Sequence, residues 1–212
     1  MSDKGVSLLP QLRITVDQLI HEFDQIEEDR RKLLKELSNF VREKLVVEEK
    51  VFLNFICTHN SRRSHIAQLW AQTAAHHFDI ANVECFSGGT EVTAFNPRAV
   101  KAMQDVGFNI TKISGGDNPN YEVRFSTDAP SIISFSKKYD GPFNQAKNFA
   151  AIMTCSHADE NCPLVSGAST RIAITYDDPK DFDETLLEEA KYNERVRQIG
   201  REMLFAFSLL KK

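Results

Sequence analysis

Apolar residues recur three and four positions apart near the start of the chain. They fall at Val16, Leu19, Ile20, Phe23 and Ile26, then at Leu33, Leu34, Leu37, Phe40, Val41 and Leu45. No Gly or Pro interrupts the span from about 15 to 46, so the spacing predicts helix with one apolar face. Thr15 with Gln18 has the form of a capping box at its start. Glu27-Glu28-Asp29-Arg30-Arg31-Lys32 is polar throughout, either a turn joining two helices or the exposed middle of one. The apolar stripe calls for a partner: the chain's own domain, or a second copy in a homodimer joined through the N-terminal helices.

After Val51 the pattern changes. Val51–Ile56 reads as a strand, 64–78 as a helix, Val83–Phe86 as a second strand and Ser87-Gly88-Gly89-Thr90 as a turn. Asn96-Pro97 opens another helix, with Pro97 in its first turn and Gly107 at its end. Phe149–Thr154 and Arg171–Tyr176 are further short strands, and a long amphipathic helix runs from about 185 to 210. Alternating β and α segments predict an α/β fold: a small doubly wound four-stranded parallel sheet with helices on both faces. The expected division is an N-terminal helical extension over 1–48 and an α/β domain over 49–212. Residues 114–148, rich in Gly, Asn, Pro and Ser, read as a long loop at the sheet's active edge, with one strand-like piece at 131–135.

Composition narrows the class. The 212 residues are 42% hydrophobic and 26% charged, as in an ordinary globular protein, and the net charge of −4 disfavours nucleic acid or an anionic membrane as partner. No apolar run approaches the ~20 residues of a membrane span. Met1-Ser2-Asp3-Lys4-Gly5 lacks the apolar core of a signal peptide, so a cytoplasmic location is expected. In that setting Cys57, Cys85, Cys155 and Cys162 read as catalytic, redox or metal-binding thiols rather than a disulfide framework. Cys85, mid-strand, reads as a small buried hydrophobe.

The strongest chemistry lies in Cys57-Thr58-His59-Asn60-Ser61-Arg62-Arg63-Ser64, a Cys-x5-Arg-Ser loop between a strand and a helix. Such a loop turns backbone N–H groups inward beside a helix N-terminus, where a tetrahedral oxyanion can sit. Thr58 to Ser64 are the expected binding residues, and Arg63 would clamp two oxygens of the anion in a bidentate fork. The same donors favour the thiolate of Cys57 and so make it a nucleophile, while Ser64 could donate to the sulfur and help it leave. His59 and His65 read as solvated side chains. Asp178, pinned by Pro179 after the last strand, suits a general acid that protonates a leaving oxygen. Cys155 and Cys162, in the polar segment after the third strand, could exchange with Cys57: Cys155 attacks a modified Cys57, and Cys162 resolves the disulfide. A metal site of Cys155, His157 and Cys162 competes with this reading but lacks a fourth ligand.

Cys57-x5-Arg63-Ser64, Asp178-Pro179 and the α/β order together resemble the low-molecular-weight protein tyrosine phosphatase superfamily. Ser87-Gly88-Gly89-Thr90, Asn96–Met103 and above all Thr154–Pro163 resemble its thioredoxin-coupled arsenate reductases. The resemblance covers roughly residues 50 to 210. It implies that Cys57 attacks arsenate, Asp178 protonates the departing hydroxyl, and Cys155 then attacks Cys57 to release arsenite. Cys162 would move the disulfide to Cys155–Cys162, for thioredoxin to reduce, with no metal or organic cofactor in the cycle. The runner-up is phosphotyrosine hydrolysis through a Cys57 phosphoenzyme, for which Cys57, Arg63 and Asp178 suffice. A non-catalytic anion sensor is disfavoured because nucleophile, arginine and acid are all present. Gln68 departs from the family's glutamate, which is linked there to a potassium ion.

Overall fold

The computed structural model describes residues 7–47, 49–161 and 164–211. Two helices lead, α1 (Pro10–His21) and α2 (Glu28–Val46). There follow β1 (Val51–Cys57), α3 (Arg63–His77), β2 (Val83–Gly89), α4 (Pro97–Asp105), β3 (Asn109–Lys112), β4 (Tyr121–Arg124) and β5 (Ile132–Ser134). The chain closes with β6 (Phe149–Met153), α5 (Ser156–Asn161), β7 (Ala168–Ala173) and α6 (Glu188–Ser208).

The expected parallel sheet is present, in the order β2-β1-β6-β7. Side chains of β1 alternate between its faces. Val51, Leu53 and Phe55 join the main core, which α1, α2, α3 and α6 cover, while Phe52 and Ile56 join a thinner cluster under α5 with Phe149, Met153 and Ala158. Burial on both faces is why these strands read as near-continuous apolar runs.

The N-terminal stripe is satisfied within the chain. Leu12, Val16, Leu19, Leu34, Leu37 and Val41 are fully buried in the main core. Ser38 Oγ donates to Ala206 O at 2.8 Å and Arg42 to Leu209 O at 2.8 Å, both on α6 or its cap. Two helices form rather than one, broken by a 3-10 turn at Phe23–Gln25, so the polar run is largely the first turn of α2. Thr15 is no cap. The first helix starts at Pro10, whose missing N–H costs nothing at a first turn, and Thr15 Oγ1 donates back to Gln11 O inside the helix.

Residues 114–148 are not one long loop. β3, β4 and β5 form a three-stranded antiparallel sheet, and Leu9 N–H donates to Phe125 O at 3.0 Å, tying the start of the chain to it. These strands are three or four residues long, and only Ile110, Tyr121, Val123 and Ser134 within them are buried. So few inward positions leave almost no alternation to read. The turn expected at Ser87–Thr90 is likewise mostly strand, since β2 runs to Gly89.

α1, α3 and α6 meet at Gly200. A Cβ there would lie 2.6 Å from Trp70 Cε2 and 2.9 Å from Leu19 Cδ1, and Trp70 is itself fully buried, edge-on to Phe108. Gly200→Ala gains about 1 kcal/mol of helix propensity, but pressing on a buried indole costs about 1–3 kcal/mol. A net loss of stability in denaturant unfolding is expected; an unchanged or raised midpoint would contradict the close approach.

Candidate active site

In a parallel sheet, ligands bind beyond the carboxyl ends of the strands, where the strand order turns. Here that point lies between β1 and β6. The Cys57–Ser64 loop leaves the end of β1, Thr154-Cys155 leaves β6, and Tyr176–Pro179 follows β7. Thr154 N–H and Oγ1 both bind Ile56 O, at 2.7 and 2.9 Å, which sets Cys155 abreast of Cys57. Three segments far apart in sequence thus share one edge.

Outside partners hold the loop's carbonyls. Cys57 O accepts from Thr90 N, Thr58 O from Glu91 N and Thr90 Oγ1, and Ser61 O from Asn96 N. His59 O accepts from Thr93 Oγ1 and Ser136 Oγ. In a planar trans peptide the next N–H points the opposite way, so the N–H groups of Thr58, His59, Asn60 and Arg62 turn from this anchoring wall towards the loop's inner side. The wall comes close because β2 ends in glycine. A Cβ on Gly89 would lie 2.7 Å from both Asn60 N and Thr58 O.

Asn60 makes the turn itself. Its φ of 44° is left-handed, which asparagine tolerates. Its Oδ1 accepts from Lys137 N at 2.9 Å, and its Nδ2 donates to Ser64 Oγ at 2.9 Å. Ser64 thereby keeps its own hydrogen for Cys57 Sγ, 3.0 Å away. His59 is half-exposed and pairs with Glu91. His65, against expectation, is fully buried. It stacks on Phe95 with centroids 4.2 Å apart and sits 3.3 Å from Ser87 Oγ. Burial, with the Lys137 ammonium nearby, pushes its pKa well below the usual imidazole range, so it is neutral. Its 3.6-periodic position gives no sign of this, because α3 is wrapped by the sheet, α6 and the loop.

Two arginines converge on Asp178. Arg63 Nη2 donates to Asp178 Oδ2 at 2.6 Å and Arg63 Nη1 to Tyr176 O at 2.8 Å, while Arg62 Nη1 lies 3.4 Å from the same Oδ2. Asp178 Oδ1 accepts from Lys180 N, and its extended backbone, φ −81° and ψ 121°, is that expected before Pro179. Arg62 also donates from Nε to Tyr192 OH, which donates on to Asp183. Burial and that carboxylate raise the Tyr192 pKa to about 12. Tyr192 and Arg30, whose guanidinium stacks 4.6 Å over the Tyr176 ring, are residues that sequence reasoning missed; no local spacing marks either. Through Arg30 the N-terminal extension touches the site.

Cys155 is buried, with Thr58 Oγ1 3.6 Å and Ala158 N 3.3 Å from its sulfur. Thr58 Oγ1 also lies 3.2 Å from His157 Nδ1. Cys162 lies outside the described residues. Cys85 is buried mid-strand, and burial pushes its thiol pKa far up, as suits an inert hydrophobe. Gln68 is buried and donates to Cys85 O at 2.9 Å. No helix among the described residues is long and apolar enough to cross a membrane.

No family model matches the chain. Among curated relatives, an arsenate reductase from Bacillus cereus is 29% identical over 164 residues, which cover 76% of this chain and 97% of that protein. An arsenate reductase from a second Bacillus cereus strain is 30% identical over 156 residues, covering 73% of this chain and 97% of the relative. A low-molecular-weight phosphotyrosine phosphatase from Vibrio cholerae shares the fold, with a TM-score of 0.51 and 13% identity over 76% of this chain and 97% of that one.

Behind the loop, burial lowers the Lys137 pKa from 10.5 to about 8. Between those values the unfolded chain holds a proton that the folded chain has lost. The burial penalty is therefore complete below about pH 8 and fades as pH rises to about 10.5. Lys137→Met should raise stability at pH 7 by up to about 3 kcal/mol, and the gain should vanish near pH 10.5. Urea unfolding of both proteins at pH 7 and pH 10 checks this; a gain independent of pH would contradict it.

Proposed function

Because the chain belongs to the low-molecular-weight protein tyrosine phosphatase superfamily, as an enzyme of the arsenate reductase or phosphatase type, we propose that it reduces arsenate to arsenite with its own thiols. Arsenate enters the loop of Thr58 to Arg63, held by the inward N–H groups and the Arg63 fork. Arg63 must exchange its bond to Asp178 for the anion, which leaves that carboxyl beside the departing oxygen. The Cys57 thiolate, supported by Ser64, attacks arsenic, and Asp178 protonates the hydroxyl that leaves as water. Cys155 attacks Cys57 Sγ, arsenite departs, and Cys162 takes over the disulfide for thioredoxin to reduce.

One observation carries this reading over its neighbour. A second thiol, Cys155, is buried abreast of Cys57 and bound to Thr58 of the anion loop. Hydrolysis does not need it for turnover; there Cys155 and Cys162 would only protect Cys57 from overoxidation. A phosphatase is nevertheless supported by the completeness of Cys57, Ser64, Arg63 and Asp178 without Cys155.

The test is arsenate-dependent NADPH oxidation with thioredoxin and thioredoxin reductase, beside hydrolysis of p-nitrophenyl phosphate. Cys57→Ser, Cys155→Ser and Cys162→Ser should each lose arsenate turnover by at least about a thousandfold. Hydrolysis that needs Cys57 alone, with no arsenate turnover in the wild type, would establish the phosphatase instead.

A further inference from the structure

Cys155 must become a thiolate to attack Cys57, yet it is 1% exposed and solvent cannot take its proton directly. The Ala158 N–H beside its sulfur is a donor; it can steady the thiolate but cannot accept the proton. Among the described residues, Thr58 Oγ1 is the side-chain oxygen within hydrogen-bonding distance of that sulfur. Thr58 is itself buried, and its hydroxyl lies between the Cys155 sulfur on one side and His157 on the other. That hydroxyl lies 3.2 Å from Nδ1 of His157, whose residue is exposed. A buried thiol is thus joined to the surface by one hydroxyl and one imidazole.

We infer that Thr58 and His157 carry the proton off Cys155 at the step that reduces arsenic. This rests on the reductase reading. Thr58 Oγ1 accepts the thiol proton while giving its own to His157 Nδ1, and the imidazolium releases it to water. The Cys155 thiolate attacks Cys57 Sγ. A sulfur–sulfur bond forms, the sulfur–arsenic bond breaks, and its electron pair stays on arsenic. Two thiol sulfurs are oxidised to a disulfide while arsenic passes from the +5 to the +3 state and leaves as arsenite. His157 touches no reacting atom; it is a positioning residue that works through Thr58.

The experiment is a single turnover of the reduced full-length chain with excess arsenate and no thioredoxin, quenched in time for arsenite and for the Cys57–Cys155 disulfide. His157→Ala should slow disulfide formation by about a hundredfold, the low end of what a positioned proton acceptor contributes. Added imidazole should restore the rate in proportion to its concentration in His157→Ala, but not in Thr58→Val, which lacks the hydroxyl. Thr58→Ser, which keeps it, should stay within a few-fold of wild type. A His157→Ala protein as fast as wild type, or slow and indifferent to imidazole, would overturn the relay. If wild type itself forms no arsenite, the reductase reading fails and the relay with it. Normal wild-type turnover beside an unaffected His157→Ala would sink the relay alone.

Discussion

The outward hydrogen bonds of the Cys57–Ser64 loop are the constraint on which the rest of the site depends. A loop of this length can hold an anion only if its N–H groups face inward, and planar peptides allow that only when the carbonyls are satisfied elsewhere. An unpaired buried carbonyl would cost about 1–3 kcal/mol, so the 89–96 segment and Ser136 are as necessary as the loop itself. They in turn need Gly89, where any side chain would strike the backbone of Thr58 and Asn60. Ser64 can serve Cys57 because Asn60, locked by Lys137 N–H, already donates to it. The chemistry at one sulfur is arranged by a chain of bonds that reaches the small antiparallel sheet.

The same logic explains why α1 and α2 matter to an edge that they reach through Arg30. They bury their apolar stripe against α6, and α6 carries Tyr192, which holds Arg62. Arg30 of α2 stacks on Tyr176, whose carbonyl binds Arg63. The position of the Asp178 carboxylate is therefore set from two sides: by Arg62 and Arg63 from the loop, and by the extension and α6 through Tyr176 and Tyr192. Two guanidiniums on one carboxylate oxygen hold Asp178 at the mouth of the loop.

Much of this was legible from periodicity and motif. The four core strands, α3, α4, α6 and the helical, amphipathic character of the start read correctly in kind because each carries several inward positions, whereas the break into α1 and α2 was left open. The helix start at Pro10 was missed because Thr15 with Gln18 mimics a cap. β3 to β5 were missed because strands of three or four residues have too few inward positions to alternate. His65 was misread because a helix enclosed on every side has no polar face for the pattern to mark.

By itself, the sequence determined the fold class and marked the Cys-x5-Arg-Ser loop with a candidate nucleophile, arginine and acid, since these are properties of local spacing. Only the tertiary structure decided what meets what. That β1 lies beside β6, placing Cys155 against Thr58 and Thr58 against His157, depends on strand order. That Arg62 turns to Tyr192 and Asp178 depends on how α6 packs. Residues about a hundred positions apart are brought within 4 Å by the crossover of the sheet, and no run of neighbours along the chain encodes that distance.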